Sequence, residues 1–340
     1  MAIDSTGFQP NPQELNTGWI ASVAARTPAA YFGMVLGLAG LGNAWRAAEQ
    51  TWHIGNGISE WILALAAIVW AVLVILFAAK AVLATDKLVT EINHPVQCCF
   101  VGLIGVATML IAGAAEPYSY TAGAALFIVG FAFTGIFAVW RTGGLWHGER
   151  DPATTTAVLY LPTVAGSFVT ATIASSLGYQ DWGQLAFGAG IFSWLAIESV
   201  LLHRLLTGPM TPPALRPTLG VQLAPAPVGA VAYISVSGGA PDMFVHALIG
   251  YGILQLVVLL RLSQWLREAG AVMGFWAFSF GATSMATAPV RLLGHGDNAA
   301  ISVVAPITFF LANLLVLGLT VMTVWLLVSG RMYAKPVTAK

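Results

Sequence analysis

Apolar residues come in long runs along this chain, broken only by short polar stretches. A helix needs roughly 20 apolar residues to cross the hydrocarbon core of a bilayer. Ten runs meet that length, at about 28–46, 58–84, 94–114, 118–141, 155–177, 183–206, 214–237, 241–266, 271–293 and 302–328. The pattern predicts an all-α integral membrane protein with ten transmembrane helices in residues 27–330. A cytoplasmic segment, 1–26, precedes them and a tail, 331–340, follows. Ten spans leave no room for a soluble catalytic domain, so the chain is not expected to be an enzyme. Met1 to Arg26 holds Asp4 and Glu14 and no continuous apolar core, which excludes a cleavable signal.

The runs repeat. Pro28, Pro95, Pro162 and Pro225 each stand near the start of one, at intervals of 67, 67 and 63 residues. A fifth run, Gly274 to Thr287, has Phe280-Gly281 in place of a proline. Five copies of a helical hairpin, each with one weakened helix, are most simply arranged as a quasi-fivefold ring around a central passage. Odd spans are rich in Gly, Pro and small residues, which let backbones approach closely, so they are expected inside, lining the pore. Even spans carry large side chains suited to lipid. Each proline either interrupts a helix beside a water-filled pore, where exposed carbonyls are tolerable, or simply starts one.

Composition agrees with this picture. Hydrophobic residues make up 58% and charged residues 8% of 340, and the mean hydropathy is +0.80, so the lipid bilayer is the expected surroundings. Net charge is zero, which argues against a nucleic-acid partner. With the N-terminus in the cytoplasm, twelve of fourteen cations lie at the inner face: Arg26, Lys80, Lys87, Arg141, Arg150, Arg204, Arg216, Arg261, Arg267, Arg331, Lys335 and Lys340. Only Arg46 and Arg291 fall outside. That bias places both termini in the cytoplasm. Cys98 and Cys99 are adjacent and have no other thiol to pair with, so they read as core-filling residues.

Few polar groups enter the spans. Glu198 is the one acid well inside an even span, and a lone charge in hydrocarbon needs a partner. Arg261, at similar depth on the eighth span, is the expected one in a structural ion pair; a proton-coupling role is the alternative. His94 before Pro95 reads as a helix cap or a gate. Between their ends the odd spans hold no Asp, Glu, Lys or Arg, so the passage is neutral. Gly37-x-x-Gly40-x-Gly42 lacks the strand and the later acid of a nucleotide loop and reads as helix packing. No metal site or cofactor is expected, because the six histidines lie near span ends or in loops, where they cannot pair to hold a haem.

Six blocks carry a resemblance: Pro28-Ala29-Ala30-Tyr31-Phe32-Gly33-Met34-Val35-Leu36-Gly37, His94-Pro95-Val96, Leu159-Tyr160-Leu161-Pro162-Thr163-Val164-Ala165, Gly190-Ile191-Phe192-Ser193-Trp194-Leu195, Gly220-Val221-Gln222-Leu223-Ala224-Pro225-Ala226 and Phe275-Trp276-Ala277-Phe278-Ser279-Phe280-Gly281. In order and over about residues 27–330 they resemble the tellurite-resistance/dicarboxylate transporter family, which holds the bacterial TehA proteins and the plant slow anion channels. The resemblance implies five hairpins in a quasi-fivefold arrangement, a homotrimer with one pore per subunit in the bacterial inner membrane, and conduction of small inorganic or organic anions. It implies a phenylalanine gate on the ninth helix, which falls on Phe280. Gly281, without a Cβ, would give the backbone there unusual freedom. Phe32, Gly33 and Phe100 take the family's pore-lining or hinge positions, with Pro95, Pro162 and Pro225.

Two transport functions follow. A passive anion channel suits a neutral pore, where weak binding lets an anion leave again. A proton-coupled C4-dicarboxylate carrier, as the family name suggests, would need an acid or cation buried on an odd helix.

Overall fold

The computed structural model describes residues 12–55, 57–148, 151–296 and 299–333. Residues 1–11, the tail from 334, and Arg150, Lys335 and Lys340 lie outside the described residues.

Among the described residues fourteen α-helices follow one another: α1 (Pro12–Arg26), α2 (Phe32–Trp52), α3 (Ile58–Leu83), α4 (Thr85–Asn93), α5 (Cys98–Val101), α6 (Leu103–Ala115), α7 (Tyr120–Leu145), α8 (Gly166–Ser176), α9 (Gln180–Thr207), α10 (Pro225–Val236), α11 (Met243–Arg261), α12 (Ser263–Arg267), α13 (Ser279–Gly294) and α14 (Ala300–Val328). Eight helical segments among the described residues are long and apolar enough to cross a membrane. The other two expected runs form α2 and α13, which are helical but richer in glycine and hydroxyl side chains.

Burial divides the segments into two layers. Within the 18-residue apolar stretches of Cys98–Ala115, Ala157–Ser176 and Pro213–Val236, 83%, 72% and 78% of positions are buried, against 17–33% in those of the five segments containing α3, α7, α9, α11 and α14. α2 and α13 join the buried set, with nearly continuous runs of buried residues. The outer helices present Trp61, Ile75, Phe192, Val257 and Phe310 to the surroundings, an apolar surface that suits lipid and not water. Within the buried layer α2 packs on α6, α6 on α8, α8 on α10, α10 on α13, and α13 on α2.

Small residues set these contacts. A Cβ on Gly37 would collide with the Ser279 side chain of α13, and one on Gly40 with Thr283, while Gly42 lies under Leu63 of α3. The glycine cluster is thus a packing face on two sides of α2. Gly105 and Gly130 meet reciprocally: a Cβ on either would stand 2.6–2.7 Å from the other's carbonyl oxygen.

Every buried-layer helix begins irregularly and then settles into α. 3-10 turns at Ala29–Tyr31, Pro213–Leu223 and Met273–Phe278 lead into α2, α10 and α13, and a π turn at Leu161–Ala165 leads into α8. The short α5 breaks at Gly102 before α6. Pro28 and Pro95 stand outside the helices, whereas Pro162 and Pro225 fall inside the helical segments Ala157–Ser176 and Pro213–Val236, where the helix geometry changes. Pro28 is extended (φ −80°, ψ 155°), Pro95 lies in the turn before α5, Pro162 opens the π turn and Pro225 is the first residue of α10. Proline lacks an N–H, so the change of helix geometry at Pro162 and Pro225 falls where a backbone hydrogen bond to the preceding turn is missing.

A buried ion pair anchors the start of α2. Lys80 of α3 pairs with Glu91 of α4, and both are almost fully buried. Glu91 also accepts from the Ala29 N–H at 2.7 Å, and Lys80 donates to the Thr27 carbonyl at 3.1 Å. With these hydrogen bonds the pair satisfies the groups it buries, which such a pair requires.

Candidate functional site

Both ends of the buried helices enclose a cavity. Near their N-terminal ends lies an apolar one of about 70 Å³, room for a few waters or one small anion. Its wall includes Gly33, Phe100, Tyr160, Val164, Pro225 and Phe280, and none of its lining residues is charged. At the C-terminal ends lies a polar cavity of about 810 Å³, with Asn43, Arg46, Glu49, Glu116, Thr287 and Arg291 among its lining residues.

Phe280 stands between the two. A Cβ on Gly40 would approach its ring to 3.3 Å. On α2, Gly40 falls between Leu36 of the apolar wall and Asn43 of the polar wall. Four residues on one side and three on the other make roughly two helical turns, so the stretch between the cavities spans on the order of 10 Å.

Gly33, Phe100, Pro225 and Phe280 lie on the apolar wall. Phe32, Pro95, Pro162 and Gly281 do not. Phe32 points to the outer layer and packs edge-on against Phe77, with centroids 6.3 Å apart. Pro95 is exposed, and its carbonyl accepts from Arg141 at 3.0 Å. Pro162 is buried in the π turn. Gly281 keeps an ordinary negative φ. It is small for a different reason: a Cβ there would come within 2.8–2.9 Å of the backbone at Leu223 and Ala224, so glycine lets α13 lie close against the start of α10. His94 holds the turn before α5, its Nδ1 accepting from the N–H groups of Val96 and Gln97, both at 3.1 Å.

The ion pair expected between Glu198 and Arg261 is absent. Glu198, on α9, is buried and holds four neutral donors instead. One oxygen accepts from Gln222 Nε2 (2.8 Å) and the Tyr251 hydroxyl (2.5 Å). The other accepts from Trp194 Nε1 (2.8 Å) and the Tyr160 hydroxyl. Four hydrogen bonds fill the acceptor capacity of a carboxylate. Tyr251 and Arg261 share α11 but stand ten residues apart, roughly 15 Å along the axis, which leaves Arg261 exposed and out of reach. Tyr160 belongs to the apolar wall, so the cluster braces that wall from behind. Its donors come from α8's lead-in, α9, α10's lead-in and α11; only Trp194, four residues before Glu198, could have been matched to it by spacing.

Arg46 and Arg291, the two cations on the outer side of the charge bias, line the polar cavity. Arg46 grips Glu60 through Nε (2.9 Å) and Nη2 (3.1 Å) and reaches the carbonyls of Gly113 and Ala114, each at 3.3 Å. Arg291 donates through Nη1 to the Ser235 hydroxyl (2.9 Å) and the Val231 carbonyl (3.5 Å). Among the described residues no His, Cys, Asp and Glu cluster suits a metal ion.

A two-layered helical membrane protein, with an uncharged cavity at one end of its buried helices and a charged one at the other, has the architecture of a channel or transporter. The chain belongs to the SLAC1 family, described as voltage-dependent anion channel, which it matches over residues 26–324. It is 35% identical to the tellurite resistance protein TehA homolog of Haemophilus influenzae, over 91% of this chain and 93% of that one. It is 23% and 22% identical to the S-type anion channels SLAH3 and SLAH2 of Arabidopsis thaliana, covering 48% and 59% of their lengths.

Proposed function

We propose that the protein passes small anions across the bacterial inner membrane without an energy source, through a passage from the polar to the apolar cavity that Phe280 closes. The observation that carries this reading is the uncharged wall of the apolar cavity, with the Phe280 ring at its closed end. An anion there meets helix N-termini and no fixed cation. That favours negative charge by only about 0.3–1 kcal/mol per helix near the surface, weak enough to allow exit.

In this reading the ten spans form five hairpins in a quasi-fivefold ring, odd helices inside, with both termini cytoplasmic. The circuit of contacts from α2 through α6, α8, α10 and α13 back to α2 supports the ring. The homotrimer rests on the family resemblance alone, and the mass of the native complex checks it. The name of the Haemophilus influenzae relative suggests a link to tellurite resistance. The test is liposome reconstitution with currents recorded in chloride, nitrate and malate. Anion current in wild type or Phe280→Ala is expected, and its absence from both rejects the channel.

A proton-coupled C4-dicarboxylate carrier is the second reading. Glu198 lies on an outer helix and not on an inner one, but it is a buried carboxylate hydrogen-bonded to Tyr160 of the cavity wall, which is what favours this reading. Malate uptake driven by a pH jump, without current, would establish it.

A further inference from the structure

Arg46 and Arg291 line one cavity and use their guanidinium groups differently. The Nε and Nη2 hydrogens of an arginine point the same way and form the edge that grips two oxygens of a planar anion. In Arg46 that edge is filled by the two Glu60 oxygens. In Arg291 only Nη1 is engaged, by Ser235 and Val231. Its Nε and Nη2 have no hydrogen-bond partner among the described residues, and the residue is half-buried in the wall of the cavity.

The other charges on this wall are spoken for or out of reach. Glu49 accepts from Gly57 N–H, Ser59 N–H and Ser59 Oγ. Glu60 holds Arg46 and the Tyr118 hydroxyl. Glu116 is the remaining carboxylate, and no carboxylate among the described residues lies within 4.0 Å of Arg291. The cation is therefore half-buried, held in place by Ser235, and presents an empty two-pronged edge to a cavity large enough for an organic acid.

We infer that the Nε/Nη2 edge of Arg291 is a binding site for a planar oxyanion, such as nitrate or a carboxylate, occupied before the anion reaches Phe280. Arg291 is 11 residues beyond Phe280 on the same helix, roughly 16 Å along its axis. An anion held there is one step from the closed stretch. Chloride, a single sphere, can only sit between the two hydrogens and cannot offer each its own acceptor in line. The part this site plays in conduction rests on the channel reading; the binding itself does not.

The test uses the native protein first. Phenylglyoxal modification of Arg291, followed by mass spectrometry of its peptide, should be slowed at least several-fold by sodium nitrate or sodium acetate and much less by sodium chloride at equal ionic strength. No modification without added anion, or equal protection by chloride, would overturn the site. In reconstituted Phe280→Ala protein, adding Arg291→Gln should raise the half-saturating nitrate concentration severalfold from the polar-cavity side only. Arg291→Lys, which keeps the charge without the fork, should pass chloride normally and lose the preference for nitrate. Unchanged nitrate saturation in both variants would also overturn it. If no protein passes current, the channel reading fails and the protection experiment still decides the site.

Discussion

The same five helices build two cavities of opposite chemistry. At the N-terminal ends the wall is apolar and uncharged; at the C-terminal ends it carries Arg46, Glu49, Glu60, Glu116 and Arg291. Helix direction accounts for much of the difference. C-terminal carbonyls attract cations, and Arg46 donates to Gly113 and Ala114 at the end of α6 while Arg291 reaches Val231 in α10. The N-terminal ends need no such partners, because 3-10 and π turns redirect the first backbone groups. In the proposed channel, one end would select an anion by contact and the other would only let it pass.

The largest effect expected is from removing the partition. A phenylalanine buries on the order of 150–250 Å², enough to close a passage walled by small residues. Phe280→Ala should raise anion current several-fold while the protein stays folded. If Phe280 were only core packing, the same change would cost roughly 3–5 kcal/mol and lower function. Currents at or below wild type, with normal expression and oligomer size, would remove the distinction between gate and core.

Cysteine reactivity sharpens the comparison next. In a background lacking Cys98 and Cys99, both buried and unbridged, Asn43→Cys samples the polar cavity and Ala277→Cys the apolar one. Applied from the polar side, a small hydrophilic thiol reagent should label Asn43→Cys readily and Ala277→Cys about tenfold more slowly, since an apolar constriction resists wetting. Adding Phe280→Ala should bring the two rates together, and Val257→Cys, facing lipid, should stay protected throughout. Equal rates at positions 43 and 277 in the closed protein would mean that the cavities are already joined.

A smaller effect is expected where α2 meets α13. The added methyl of Gly40→Ala would press on Thr283 and on the Phe280 ring. Overpacking of this kind costs typically 1–3 kcal/mol, seen as a lower midpoint of thermal unfolding. An unchanged midpoint would show that Phe280 is free to move aside.

The layers and the family were legible because run length and residue size report on lipid and packing directly. Facing was less so, because a small residue serves a cavity wall and a helix contact equally well. Gly166 and Ser279 fit a water-facing pattern, yet a Cβ on Gly166 would meet Thr134 of α7, and Ser279 is buried against Gly33 and Trp276. Gly281 looked like a flexible joint and is a point of close approach. The polar cavity did leave a trace: Arg46 and Arg291 are the two cations that break the charge bias, and both face it. The partners of Glu198 left almost none, since three of its four donors come from separate segments.

Glu198 gives the smallest effect expected and tests whether the apolar wall depends on a charge. A carboxylate paired with Arg261 would leave an unpaired cation when neutralised, a change that is strongly destabilising. The carboxylate here has only neutral donors: Tyr160, Trp194, Gln222 and Tyr251. Glu198→Gln keeps one acceptor oxygen and turns the other into a donor facing donors, so one or two hydrogen bonds weaken, at about 1–3 kcal/mol. Tyr160 stays packed in its buried position, and the uncharged wall is unchanged. Anion current through the Phe280→Ala background should then remain within about twofold, with the midpoint of thermal unfolding lowered by a few degrees. A folded Glu198→Gln protein with no transport of any anion would instead assign the proton to this carboxylate and make the carrier the better reading.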